Sequence, residues 1–188
     1  MKKHVLVALT AMFVSTAPAF AEEKKDFEGF KATALIGYDN GDFGEFVTID
    51  GVSIDLNNAE GLFYGLNIGY DRQTGRLVYG IELEATDSAA DLSDTILGQV
   101  ELGRDLYAGG RLGYAVSNKS MIYAKAGYTD ARLRTVGFQS IGDDGFRLGA
   151  GAEHRFGKSF FARAEYRFSE YGRGIRRHQG LIGMGIQF

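Results

Sequence analysis

The run FRLGAGAEHRF, Phe146 to Phe156, separates into two faces with a period of two. Phe146, Leu148, Ala150, Ala152, His154 and Phe156 fall on one side, and Arg147, Gly149, Gly151, Glu153 and Arg155 on the other. A helix would mix the two sets. A strand, whose side chains point alternately to opposite faces, keeps them apart. The same separation recurs in LVYGIELEA (Leu77 to Ala85), LYAGGRLGYAV (Leu106 to Val116) and FFARAEYRF (Phe160 to Phe168). Phe30 to Tyr38, Leu62 to Tyr70, Ile122 to Tyr128 and Gln179 to Phe188 follow it less regularly. About eight strands result, each close to the ~9–11 residues of a tilted membrane strand. An even number lets an antiparallel meander close on itself with both ends on the same side.

The connections alternate in length. Short turns are expected at Arg72–Gly75, Ser117–Ser120 and Gly157–Ser159, and longer polar segments at Asp39–Gly61, Asp87–Thr95, Thr129–Gly145 and Ser169–His178. Short turns on one rim and long loops on the other are the outer-membrane barrel pattern, with the long loops outside. Asp50-Gly51, between FVTI and VSIDL, is a tight hairpin signal, so the first outer loop extends its strands beyond the membrane. Ile96 to Arg104 keeps the parity of the following strand and projects outward likewise.

A soluble barrel also alternates, with its apolar residues inward. Two features point the other way. The polar faces interleave glycine with opposed charges, namely Glu82, Glu84, Arg111, Glu153, Arg163, Glu165 and Arg167. A soluble surface has no need of so many strand glycines, whereas a narrow lumen uses them to admit long side chains. Aromatics also sit near strand ends on the apolar face: Tyr38, Tyr70, Tyr114, Tyr128, Phe156, Phe160 and Phe188. Membrane barrels carry such girdles at both interfaces.

The ends and the composition agree. MKKHVLVALTAMFVSTAPAFA has a basic start, a short apolar stretch and the small-x-small site Ala19-Phe20-Ala21, which reads as a signal peptide over residues 1–21. The barrel domain is then residues 22–188. Cysteine is absent, so neither a disulfide nor thiol chemistry is available. The single proline, Pro18, lies in the leader, leaving the strands free of ladder-breaking residues. Loss of Lys2 and Lys3 moves the net charge from −3 to −5, which gives no electrostatic basis for nucleic-acid binding.

GRLGYAVSNKSMIYAKAGYTDARL (Gly110 to Leu133), FRLGAGAEHRF, RAEYRFSEYGR and the closing HQGLIGMGIQF resemble the opacity-type, porin-family surface antigens, small outer-membrane barrels related in architecture to the OmpA membrane domain and OmpX. The resemblance covers nearly all of the chain after the leader and is densest from Gly103 onward. It implies an eight-stranded, antiparallel, up-and-down transmembrane barrel in the outer membrane of a Gram-negative bacterium. It says little about function, since members are porins, adhesins or surface antigens. The first strand departs from the family, with FEGFKATALIGY in place of a Trp-containing segment.

Candidates for chemistry are few. His154 falls on the lipid face near the periplasmic rim, and His178 where the last outer loop meets the last strand. Lipid A deacylases resemble one another in a His-x-Ser pair, but His178 is followed by Gln179 and Gly180. DNGDFGE (Asp39 to Glu45) lacks calcium-loop spacing and reads as a solvated loop. GAGAEHRF is a strand and opens no phosphate-binding helix. No catalytic, cofactor or metal residue is assigned. Arg173, Arg176 and Arg177 in the last outer loop either meet lipopolysaccharide phosphates, which guanidinium pairs well, or are simply solvated.

On the last strand Ile182, Met184, Ile186 and Phe188 share one face, with Gly183, Gly185 and Gln187 on the other. Phe188, Ile186 and Met184 resemble the C-terminal signal read by the outer-membrane assembly machinery. The last strand must also pair with Phe30–Tyr38 to remove both sheet edges. The expectation is a monomeric barrel with four outer loops and a packed polar lumen. Its role is membrane integrity and surface display, with adhesion as one form of it, and no enzymatic activity. Its partners would be outer-membrane lipids, lipopolysaccharide, the assembly machinery and a surface ligand that no motif identifies. A narrow small-solute porin is the alternative, and a lipid-modifying enzyme a more distant one.

Overall fold

The computed structural model describes residues 25–42, 47–49, 52–54, 59–88, 91–92, 100–135, 141–172 and 176–188, with side chains placed for 25–40, 61–87, 104–131, 144–172 and 176–188. The leader, the Asp50-Gly51 tip and Arg173 lie outside the described residues. Among the described residues eleven strands follow in order: β1 (Gly29–Asp42), β2 (Val47–Ile49), β3 (Val52–Ile54), β4 (Ala59–Thr74), β5 (Leu77–Ser88), β6 (Asp91–Leu92), β7 (Val100–Ala115), β8 (Ser120–Thr135), β9 (Ile141–Phe156), β10 (Phe160–Tyr171) and β11 (Arg176–Gln187).

Eight of these close a barrel. The hydrogen-bonded order is β5-β4-β1-β11-β10-β9-β8-β7, and a β5–β7 ladder joins the two ends. Every pairing is antiparallel, and every one except the β1–β11 seam joins barrel strands consecutive along the chain. The seam is continuous from Lys31↔Gln187 to Asp42↔Arg176. Beyond the barrel, β2 and β3 pair on either side of the expected hairpin tip, and β6 pairs with the outer end of β7.

The strands are longer than the apolar alternation indicates. β4, β7, β8 and β9 each run to 16 residues. Most of the predicted loop at Thr129–Gly145 is strand, because β8 continues to Thr135 and β9 begins at Ile141. Ladder bonds need only backbone groups, so pairing persists above the membrane where side-chain polarity no longer alternates. A bulge interrupts β7 between Leu102 and Asp105. At the short-turn rim, Gly75 (φ 61°) and Gly157 (φ 78°) supply the left-handed residues that reverse the chain.

Burial is inverted relative to a soluble barrel. On β5, Ile81 is 71 % exposed, whereas the adjacent Glu82 is 3 % exposed. Leu66, Leu112, Ile182 and Met184 likewise face outward, and Lys125, Arg147 and Arg167 are buried inside. Water would not tolerate that arrangement; hydrocarbon requires it.

Candidate functional site: a charge-paired lumen and two rims

The inward side chains form three charged storeys above an apolar floor. Nearest the short turns, Lys31 Nζ lies 2.5 Å from Glu153 Oε1 and 2.9 Å from Asp71 Oδ2. Arg111 grips Asp71 with two bonds, Nε to Oδ1 at 2.8 Å and Nη2 to Oδ2, and reaches Glu153 Oε2 at 3.3 Å. Arg155 meets Asp26 at 3.5 Å. In the middle storey Lys125 Nζ sits 2.7 Å from Glu82 and 2.9 Å from Glu165, and the Tyr123 hydroxyl donates to Glu165 at 2.8 Å. Arg163 extends from β10 to Glu82 on β5, two strands that lie on opposite sides of the barrel, at 3.5 Å.

The outer storey is the most connected. Arg167 bonds Glu84, and its Nε donates to Gln179 Oε1 at 2.6 Å. Arg147 donates to Asp105 Oδ2 at 2.5 Å and to Ser169 Oγ at 2.8 Å. Asp105 also accepts from Thr129 at 2.6 Å and Tyr171 at 2.8 Å. Arg177 bonds Asp39 and approaches Asp105 at 3.3 Å. Aromatic faces back the cations, with Lys125 over Tyr107 (4.6 Å) and Arg167 over Phe63 (4.7 Å). Three cations meet three carboxylates in the lowest storey, two meet two in the middle, and three meet three in the outermost. Buried charges persist only when paired and hydrogen-bonded, and here each has an opposite partner.

All seven charges assigned to the lumen from sequence (Glu82, Glu84, Arg111, Glu153, Arg163, Glu165 and Arg167) are buried in this network. Sequence reasoning left out Lys31, Lys125, Arg147 and Arg155, whose parity with neighbouring lumen residues was a usable signal. It also left out Asp71, Asp105 and Arg177, which lie at or beyond the edges of the predicted strands. Asp39, placed in a solvated loop by sequence, is on β1 and 1 % exposed.

The last-loop arginines separate. Arg176 is exposed on the outer face, but Arg177, the next residue along β11, points inward to Asp39. Strand alternation makes that opposition unavoidable. Arg177 is therefore a lumen residue paired with Asp39 and not an outward-facing guanidinium like Arg176.

Two pairs on the lipid face come from register and not from local sequence. Ser120 and His154 are opposite one another on β8 and β9, with Oγ 2.9 Å from Nδ1. Tyr166 and His178 meet at 2.6 Å on the outer half. Among the described residues, no carboxylate bonds the far nitrogen of His154, so the Ser120 pair lacks the orienting group of a triad. Among them, too, no group of three or more His, Cys, Asp or Glu could hold a metal ion. Tyr38, Tyr70, Tyr114, Tyr128, Phe156, Phe160 and Phe188 all face outward, but with the strands continuing beyond the apolar alternation Tyr128 lies mid-strand in β8. Met184, Ile186 and Phe188 share the lipid face, and the Phe188 amide donates to Phe30 at 2.9 Å across the seam.

A closed eight-stranded sheet with apolar residues outside and paired charges inside defines an outer-membrane β-barrel. Residues 6–188 match the outer membrane protein beta-barrel domain, and the chain belongs to that family. Its place is the outer membrane of a Gram-negative bacterium. It is similar to the 22 kDa outer membrane protein of Rhizobium leguminosarum bv. viciae, 27% identical with 86% of this chain and 78% of that protein covered. It is also similar to the 25 kDa outer-membrane immunogenic protein of Brucella ovis, 29% identical with 66% of this chain and 62% of that protein covered. Among solved structures, Neisserial surface protein A shares the fold (TM-score 0.61, 15% identity, 88% of this chain and all of that one). So does Ail, the attachment invasion locus protein of Yersinia pestis (TM-score 0.53, 16% identity, 85% of this chain and 99% of that one).

Proposed function

We propose that this barrel serves the outer membrane as a structural and surface-display protein with a closed lumen, and that it catalyses no reaction. The supporting observation is the storey-by-storey charge pairing. Arg147 and Arg167 are fully buried in the outer storey, each against a carboxylate. An eight-stranded barrel is just wide enough for its own side chains. In planar bilayers the intact chain should show no channel openings; reproducible openings would overturn this reading. Mass spectrometry of lipid A from overexpressing cells should show unchanged acylation.

One observation favours the narrow-porin reading. Arg163 Nε and Nη2, the Thr33 hydroxyl and Asn67 Nδ2 are buried without hydrogen-bond partners among the described residues. Such groups attract ordered water, and a continuous file of it would conduct. The same bilayer recording separates the two readings.

At the outer rim, Arg176 supports contact with lipopolysaccharide phosphates, by charge and by its outward direction. Exchange of Arg173 and Arg176 for Gln should lower the lipopolysaccharide retained in detergent extracts. Equal retention would remove this partner. Phe188, Ile186 and Met184 are the segment offered to the assembly machinery, and the remaining outer loops carry any adhesive contact.

A further inference from the structure

Residues 25–28, just before β1, fold back into the barrel mouth. Phe27 is fully buried in a cluster with Val78, Ala115, Met121 and Tyr123, which come from β5, β7 and β8. Its amide donates to Gln73 Oε1 at 2.9 Å, and the Gln73 amide donates to Glu28 Oε2 at 3.1 Å. Gln187 Nε2 donates to the carbonyls of Asp26 (3.1 Å) and Glu28 (2.8 Å). Lys31 and Arg155 lie 5.8 and 5.7 Å from the centre of the Phe27 ring. Gly29 makes the turn from the lumen to the barrel wall. Its φ is 139°, and a Cβ there would run into the Phe188 carbonyl.

We propose that Lys25–Glu28, hinged at Gly29, is a stopper for the periplasmic mouth, a unit that opens and closes without the barrel opening and that seats only after β1 and β11 have paired. None of its side-chain bonds belongs to a barrel ladder, so the wall remains complete when it lifts out. Its partners are spread over β4, β5, β7, β8, β9 and β11, and contacts this distant in sequence exist together only in the closed cylinder. Local units of this kind open with their own free energy, below that of global unfolding.

The chain contains no cysteine, so one introduced thiol reports on the mouth without interference. Val78→Cys, under the Phe27 ring, should react slowly with a membrane-impermeant maleimide in the micelle-embedded full chain. Adding Phe27→Ala should speed that reaction roughly 100-fold, because the apolar seat is lost. Phe27→Leu should restore most of the protection. Asn118→Cys, in an exposed turn, should react at one rate in all backgrounds. Heat-modifiable gel mobility reports barrel closure in the same samples. If Phe27→Ala fails to close, Gln187→Ala removes the two carbonyl bonds and should raise labelling in a closed barrel. During refolding, protection of Cys at 78 should follow the mobility shift. Equal labelling with and without the stopper substitutions, or protection that precedes closure, would overturn the proposal.

Discussion

Arg111 on β7 holds Asp71 on β4 with two hydrogen bonds, one to each carboxylate oxygen, and both side chains are almost wholly shielded from solvent. Glu153 and Lys31 complete the cluster, so either deletion strands a charge next to like charge. Arg111→Met should lower the unfolding free energy in micelles by about 3–5 kcal/mol, the usual cost of leaving one partner buried alone. Asp71→Asn should cost less, because the amide keeps an acceptor for Arg111. The double variant Arg111→Met/Asp71→Leu should be more stable than Arg111→Met alone. Urea titrations followed by gel mobility would measure all three, and a double variant worse than the sum would contradict the pairing.

Gly151 faces the lumen on β9, where a Cβ would lie 2.5 Å from the Ala164 carbonyl and 2.7 Å from the Tyr123 hydroxyl. Tyr123 is needed where it stands, donating to Glu165. Gly151→Val should therefore destabilise the barrel by roughly 1–3 kcal/mol, as overpacked cores do. Gly180, on the exposed face of β11, has nothing within 4 Å of such a Cβ. Gly180→Val should leave the midpoint unchanged or raise it slightly. Equal losses at both positions would mean that the lumen is not tightly packed at Gly151.

Glu28, below the membrane span, carries a lowered pKa. Burial works against its charge and is outweighed by the Gln73 amide and then by Lys25. A lowered value means that this carboxylate's contribution is complete above its ordinary pKa of 4.5 and is lost as pH falls through the shifted one. The chain has no Trp, so Phe27→Trp makes the stopper the sole indole. Its emission should stay blue from neutral pH to about 5 and shift red below the carboxylate range. Glu28→Gln should weaken seating at neutral pH and flatten the acid limb.

Phe188 contributes little to the interior, being 76 % exposed, yet its amide bonds Phe30 across the seam. Deleting it should reduce the fraction inserted in the outer membrane several-fold, while barrels that do insert keep their gel mobility. Membrane fractionation would measure the first effect. Normal insertion of the truncated chain would count against an assembly role for this end.

Sequence alternation carried the fold a long way. LVYGIELEA and FRLGAGAEHRF repeat every two residues because a strand does, and a sheet with lipid on one side must place its apolar set there. The same parity by itself assigns the lumen side of Glu82, Glu84, Glu153 and Arg163. It fails where polarity stops alternating: Asp39 and Arg177 read as loop, but backbone pairing continues through them and turns them inward.

Which charge meets which lay beyond the sequence. Arg177 and Asp39 are separated by 138 residues, and Lys31 and Glu153 by 122. Only closure of β1 on β11, in one register, brings such residues to one level. Phe27 is the clearest case. In the chain it is an aromatic among charged residues, without periodic context. In the barrel it fills an apolar mouth whose walls come from three strands far along the sequence. Local pattern determined the faces because side-chain direction is a property of each strand by itself. Closure decided the partners, because distance inside a barrel depends on all eight strands at once.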